Sequence, residues 1–227
     1  MWVIGLTGAI GAGKSTVSCQ FQFLGVPVHC ADQEIHRLLK EDKGIKEKIN
    51  SRWPGVKGGD AINRSLLAEK VLNDPQQLRE LESILYPHLS KSQKSFLNHH
   101  EKAKTPIVIL DIPLLMELGL YKYCHKSILV EAPFLIRRWR VLRRSGMSIK
   151  KLKKFESQQF SDKIRRKYAD FIIATGRGKR SSLQMVKRIL TTLERKPAPP
   201  WDGSWPHTLK REIYEKRNCS GYRNNRI

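Results

Sequence analysis

Acidic residues are scarce in this 227-residue chain: 21 Asp and Glu stand against 43 Lys and Arg, a formal net charge of +22. So large an excess of one sign points to anionic partners, and nucleotides, nucleic acid and acidic membrane surfaces all qualify. Cysteine is sparse and scattered. Cys19, Cys30, Cys124 and Cys219 form no C-x-x-C pair, which argues against a zinc site or a disulfide framework and for reduced thiols in a cytoplasm. No apolar run approaches the ~20 residues that span a bilayer. Trp2, Val3 and Ile4 lead straight into a glycine-rich stretch, without the basic region or cleavage site of a signal peptide. A cytoplasmic protein with no membrane partner is therefore expected. There is no internal repeat, and the length suits one α/β domain with insertions.

The informative stretch is residues 5–16, GLTGAIGAGKST. Gly8, Gly13, Lys14 and Ser15 match G-x-x-x-x-G-K-[ST], the phosphate-binding P-loop. Glycines allow such a loop to wrap a polyphosphate with backbone N–H groups turned inward, and the helix that follows offers its positive dipole end. Lys14 is expected to reach the β- and γ-phosphates of ATP and Ser15 to ligate Mg²⁺. The context agrees: residues 2–7 read as a buried strand, and residues 15–24 as a helix stopped by Gly25.

Four further strands are expected at residues 26–31, 106–113, 127–130 and 170–175, with a closing amphipathic helix at 183–193. Strands alternating with helices imply a parallel sheet. Ligands of such sheets bind at the carboxyl ends of the strands. Asp32 lies just past the second of these, where it could accept a proton from an attacking hydroxyl, or simply cap a helix starting near Gln33. Asp111 ends the strongly apolar PIVILDIP stretch, the position expected of a Mg²⁺ ligand, direct or through water.

Residues 33–87 read mostly as helix, broken at Gly44 and at the turn WPGVKGGD (53–60) and closed by Tyr86-Pro87-His88. That is too long for a simple crossover and suggests an inserted helical subdomain. Arg64 opens its second part, either as a clamp on a substrate phosphate or as an exposed helix-start arginine. Residues 137–188 hold 18 Lys and Arg against Glu156, Asp162 and Asp170, a net +15. Lys150, Lys151, Lys153 and Lys154 read as a solvated helix face. Arg140 and Arg144, spaced i, i+4, are expected on one helix face that grips a polyphosphate. From Lys196 onward, prolines interleave with Trp201 and Trp205 and then give way to a basic stretch, which reads as an extended C-terminal tail, 196–227.

Taken together these segments resemble the dephospho-coenzyme A kinase family, from about residue 1 to 193. The resemblance is carried by GLTG-x-IG-x-GKST, Ala31-Asp32, N-R-x-x-L (Asn63, Arg64, Leu67), L-x-x-I-L-x-P (residues 81–87), D-I-P-L-L-x-E (residues 111–117), R-x-x-x-R (Arg140, Arg144), Gln159 and A-D-x-x-I (residues 169–173). It implies a P-loop NTPase fold, a three-layer α/β/α sandwich on a five-stranded parallel sheet. The core would be 1–32, 104–136 and 168–195, the helical substrate-binding insert 33–103 and the lid 137–167. It further implies transfer of the γ-phosphoryl group of ATP to the 3′-hydroxyl of dephospho-CoA, with Mg²⁺ as cofactor. Asp32 would be the base, and Lys14 and Arg140 would act on the transferring group. Gly8, Gly11, Ala12, Gly13, Lys14, Ser15, Thr16, Arg140 and Arg144 would bind ATP; Asp32, Arg64, His88, Pro113, Glu117 and Gln159 would bind the acceptor; Ser15 and Asp111 would serve the metal. A monomer is expected. A nucleic-acid partner is permitted by the charge but disfavoured by the few aromatics among the basic residues. Ala9, Ala12, Met116 and Thr175 depart from the family's usual residues. Ala9 would be the costly one if its backbone were left-handed.

Overall fold

The computed structural model describes residues 1–72 and 74–209. Five strands, β1 (Trp2–Gly8), β2 (Val28–Cys30), β5 (Ile107–Asp111), β6 (Lys126–Glu131) and β7 (Phe171–Ala174), form one parallel sheet in the order β2-β5-β1-β6-β7. In β1 and β5 every residue is buried, because both faces are covered. Strand alternation then sorts the core. Trp2, Ile4, Leu6, Ile107 and Ile109 pack on one side with α1 (Lys14–Phe23) and α9 (Lys179–Glu194), while Met1, Val3, Val108 and Leu110 pack on the other. The second face is covered by α5 (Pro75–Lys102), residues 112–120 and the C-terminal segment. These are the three layers expected from the sequence.

A separate cluster, including Leu38, Leu39, Ile45, Ile49, Trp53, Ile62, Leu67 and Leu85, forms where α2 (Ala31–Glu41), α3 (Lys43–Arg52) and α4 (Arg64–Val71) pack with the first part of α5. Three details of this region differ from expectation. Gly44 does not break a helix, since it falls in the first turn of α3, whose cap is Asp42, accepting from Ile45 N at 2.9 Å. N–H groups of a first turn have no intrahelical partner, so glycine costs little there. Residues 53–60 are not only a turn, for they lead into an antiparallel pair, β3 (Lys57–Gly58) and β4 (Ala61–Ile62). Nor does Pro87 close the region: α5 runs through it. An interior proline costs about 3 kcal/mol. Leu85, Leu89 and Leu97 are buried on either side of it, each worth ~1.5–3 kcal/mol, so the continuous helix prevails.

After β6 come α6 (Phe134–Leu142), α7 (Ile149–Ser157) and α8 (Asp162–Tyr168). Lys150, Lys151 and Lys153 are exposed on α7, whose one buried residue is Leu152. Residues 196–209 have no regular structure but are not a free tail. Trp205 and Leu209 are buried beside Met1, Val3 and Leu89; the Met1 ammonium donates to the Pro199 carbonyl at 2.9 Å, and Ser90 Oγ donates to that of Pro206. The remainder of the expected tail, 210–227 with Cys219, lies outside the described residues. Among the described residues no helix is long and apolar enough to cross a membrane.

Candidate active site

The loop of residues 8–13 leaves the end of the central strand β1 and enters α1 at Lys14. Gly11 has φ +77°, and a Cβ there would lie 2.6 Å from the Arg137 carbonyl oxygen, so both backbone hand and space demand glycine. Ala9 has no positive φ and is buried; its methyl group in place of the usual glycine costs nothing in backbone strain. Ser15 is exposed and Thr16 half-buried in the first turn of α1. The Lys14 ammonium forms an ion pair with the Asp111 carboxylate. Asp111 is 1% exposed, and a buried carboxylate needs such a partner. Two residues on, Pro113 accepts a hydrogen bond from Thr7 Oγ1 at 3.0 Å, joining the segment after β5 to β1.

Two side chains from the basic region hold the loop from outside. The Arg140 guanidinium donates to the carbonyls of Gly11 and Ala12 (both 3.4 Å) and to Thr175 Oγ1 and O (both 3.0 Å). Thr175 Oγ1 in turn donates to the Ala12 carbonyl. Gln159, between α7 and α8, accepts from Ile10 N at 3.0 Å through Oε1, with Nε2 3.4 Å from the Gly8 carbonyl. Beside it, Glu117 Oε1 accepts from Phe160 N at 2.7 Å. Glu117 is buried in the segment that begins at Asp111.

The expected one-face pairing of Arg140 and Arg144 is not formed. The helix ends at Leu142, Arg143 is its cap, and Arg144 lies in the turn that passes through Gly146 at φ +72°. Arg144 is exposed there.

β2 pairs with β5 so that Cys30 stands opposite Asp111, and α2 begins at the next residue. Asp32 therefore sits inside the first turn of α2 rather than at its cap; Cys30 is the cap residue and makes no side-chain cap bond. The capping alternative for Asp32 is thereby corrected. Its carboxylate is exposed at the N-terminal end of the helix. Burial pushes the Cys30 thiol pKa up; the charges of Asp111 and Asp32 add to this and that of Lys14 opposes it, so all three groups act on one spot.

One turn along α2, His36 Nδ1 lies 3.4 Å from Arg64 NH1 at the start of α4. Burial, then the Arg64 charge, lowers the His36 pKa, and the Asp32 charge opposes them. Arg64 thus stands on the α2 face that carries Asp32. In β2, one residue before Cys30, His29 Nε2 meets Ser92 Oγ at 3.0 Å, tying the strand to α5, and burial lowers the His29 pKa. His88 is half-buried on α5 and takes part in none of the hydrogen bonds above.

Lys14, Asp111, Arg140, Gln159 and Glu117 are thus gathered round the loop, with Pro113 joined to β1. Arg64 meets His36 and the Asp32 charge acts on the same imidazole, while Arg144 and His88 stand apart. Sequence reasoning missed the part played by Thr175. Its signal in the sequence is a small polar residue ending a strand beside the loop, which otherwise stands out only as a departure from the family's usual residue.

A lysine-bearing glycine loop after the central strand of a parallel sheet, with a carboxylate on the neighbouring strand, defines a P-loop kinase site. The model of the dephospho-CoA kinase family matches residues 2–179. Among curated relatives, a dephospho-CoA kinase of Mesorhizobium japonicum is 39% identical over 194 residues, 85% of this chain and 97% of that protein. One of Brucella melitensis is 36% identical over 198 residues, 87% and 98% of the two chains. The chain belongs to the dephospho-CoA kinase family. Among solved structures, a Thermus thermophilus protein matches with TM-score 0.71 and 31% identity, covering 84% of this chain and 96% of its own. At lower identity, sharing the fold alone, are dephospho-CoA kinase from Campylobacter jejuni (TM-score 0.59, 24%, covering 86% and 98%) and shikimate kinase from Acinetobacter baumannii (0.52, 17%, covering 86% and 94%).

Proposed function

We propose that this protein transfers the γ-phosphoryl group of ATP to the 3′-hydroxyl of the ribose of dephospho-CoA, giving coenzyme A and ADP, with Asp32 as the base. The observation that carries the reading is the place of Asp32. It is a carboxylate in the first turn of α2, next to the strand end that Cys30 and Asp111 share, and not engaged in capping. From there it can take the proton of an acceptor hydroxyl aimed at the end of a triphosphate lying in the loop.

In this reading the backbone N–H groups of residues 13–15, where the loop enters α1, cradle the phosphates, and Lys14 moves from Asp111 to the β- and γ-phosphates as ATP enters. Among the described residues no three His, Cys, Asp or Glu gather as a metal site. That suits a cation that keeps mostly phosphate and water ligands. The exposed Ser15 hydroxyl and the Asp111 carboxylate are the residues that would hold Mg²⁺, whose chemistry is to offset charge on the phosphates. Arg140 fixes the far half of the loop and would act on the transferring group from there, while Arg144, exposed in its turn, is free to swing toward the phosphates. The insert 33–103 holds the acceptor, with Arg64 on its phosphate side. The lid is 137–167, whose closure excludes water. The three described cysteines are free thiols, which favours the cytoplasm.

A coupled ADP-release assay with Mg²⁺-ATP and dephospho-CoA, run beside AMP, adenosine and shikimate, tests the acceptor. Turnover confined to dephospho-CoA is expected. Equal turnover with another acceptor, or none with dephospho-CoA, would overturn the proposal.

A further inference from the structure

The family resemblance assigns Gln159 and Glu117 to the acceptor. Their bonds in this chain run elsewhere. Gln159 uses one end of its amide to accept from Ile10 N (3.0 Å) and directs the other at the Gly8 carbonyl (3.4 Å), so both ends face the first half of the P-loop. Its neighbour in sequence, Phe160, gives its N–H to the buried Glu117 carboxylate at 2.7 Å, and Glu117 lies six residues after Asp111 on the same segment. A chain of bonds therefore runs from the strand that carries Lys14's partner, through the root of α7 and α8, to the loop that binds ATP. On the other side Arg140 and Thr175 fix Gly11 and Ala12, so each half of the loop is held by a residue at one foot of the basic segment.

We infer that Gln159, seated by Glu117, is a positioning residue for the P-loop: it sets the loop's first half in its phosphate-binding shape and couples that shape to the basic segment between α6 and α8. The inference rests on the ATP-binding reading of this loop. Chemistry explains why glutamine is wanted. Facing the loop are one backbone donor, Ile10 N–H, and one backbone acceptor, the Gly8 carbonyl, and only a side-chain amide of this length serves both. Glutamate can accept from Ile10 but sets a carboxylate against the Gly8 carbonyl and adds a negative charge beside the triphosphate. Methionine fills the same volume and makes neither bond. Without the tie the loop samples other shapes, and ATP must order it on binding, which lowers affinity.

The test measures binding of a fluorescent ATP analogue, KM for ATP, KM for dephospho-CoA and thermal stability in Gln159→Met, Gln159→Glu and Glu117→Leu, with Glu117→Gln as the conservative variant. For Gln159→Met, loss of the two bonds is expected to weaken ATP binding about tenfold with the acceptor KM unchanged. Gln159→Glu should lose more. Glu117→Gln, which keeps an acceptor for Phe160 N, should retain most of the ATP affinity that Glu117→Leu loses. In the Gln159→Met/Glu117→Leu double variant the losses should be less than additive, because one residue acts through the other. A rise in the acceptor KM with ATP binding intact would return Gln159 to the acceptor site and overturn the inference. So would a fall in melting temperature with both affinities unchanged, the mark of a merely structural bond. Because analogue binding needs no acceptor, failure of the dephospho-CoA reading would show separately, as absent turnover in the unmodified protein.

Discussion

Gly11→Ala isolates the steric demand of the P-loop, because Gly25→Ala provides a control with the same backbone hand. Both glycines are left-handed, φ +77° and +80°. A Cβ at position 25 meets nothing within 4 Å, whereas at position 11 it meets the Arg137 carbonyl oxygen at 2.6 Å and Val141 Cγ2 at 2.8 Å. The left-handed strain is about 1–2 kcal/mol at either site, offset by about 0.4–1 kcal/mol from the stiffer unfolded chain. Gly25→Ala should therefore cost no more than about 1.5 kcal/mol. At position 11 the crowding against α6 adds about 1–3 kcal/mol, giving a total of roughly 1–4.5 kcal/mol. At about 2–4 °C per kcal/mol for a chain of this size, the melting temperature should fall by about 2–18 °C, against no more than about 6 °C for the control. Relief of the contact moves the loop away from α6, so ATP-analogue affinity should fall at least tenfold in Gly11→Ala alone. Equal ATP affinity in the two variants would refute the claim that this contact shapes the phosphate site.

Three other perturbations probe other parts of the account. Trp205→Ala removes a buried indole of the C-terminal segment and should cost about 3–5 kcal/mol in urea denaturation while leaving KM for ATP unchanged; an unaltered midpoint would mean that the segment does not contribute to the core. Burial opposes ionisation of Asp170, yet bonds from Lys126 (3.0 Å) and Ser127 N (2.8 Å) outweigh it and hold its pKa below the usual value. A depressed folded pKa contributes stability above the unfolded pKa of about 4 and loses it as pH falls through the folded value. The stability gap between the unmodified protein and Asp170→Asn should thus be full at pH 7 and close on acidification below about pH 4; a gap independent of pH would contradict the ion pair. Burial raises the Cys124 thiol pKa to about 12, whereas Cys19 is exposed. N-ethylmaleimide at pH 8 should label Cys19 rapidly and Cys124 only after unfolding, as peptide mass spectrometry would report.

The parts of this fold that rest on local patterns were legible in the sequence. The strand, glycine loop and helix at the start have a strict spelling, and the apolar run ending in Asp111 announces a buried strand. Where long-range packing decides, local signals mislead. Pro87 and Gly44 are helix breakers by propensity, but the apolar face of α5 and the Asp42 cap of α3 prevail over them. Asp32 looks like a cap because Asp commonly is one; the helix instead starts two residues earlier, directly after Cys30 pairs with Asp111, and the carboxylate becomes a first-turn residue. Arg140 and Arg144 share a spacing that a helix would align, but the helix ends between them. Proline and tryptophan after residue 195 suggest a loose tail, yet Trp205 and Leu209 find an uncovered apolar face beside β1 and α5, which composition does not reveal. The bonds of Gln159 to Gly8 and Ile10 span about 150 residues of sequence, beyond the reach of any local pattern.

The most direct test of the central claim is single-turnover phosphoryl transfer to dephospho-CoA by Asp32→Asn, with ATP binding measured on the same sample. Asparagine keeps the shape of the side chain and removes its basicity. A fall in rate on the order of 10²–10⁴-fold is expected, with ATP affinity preserved. A rate within a few-fold of the unmodified protein would contradict it, leaving Asp32 as a first-turn helix residue and the proton acceptor elsewhere.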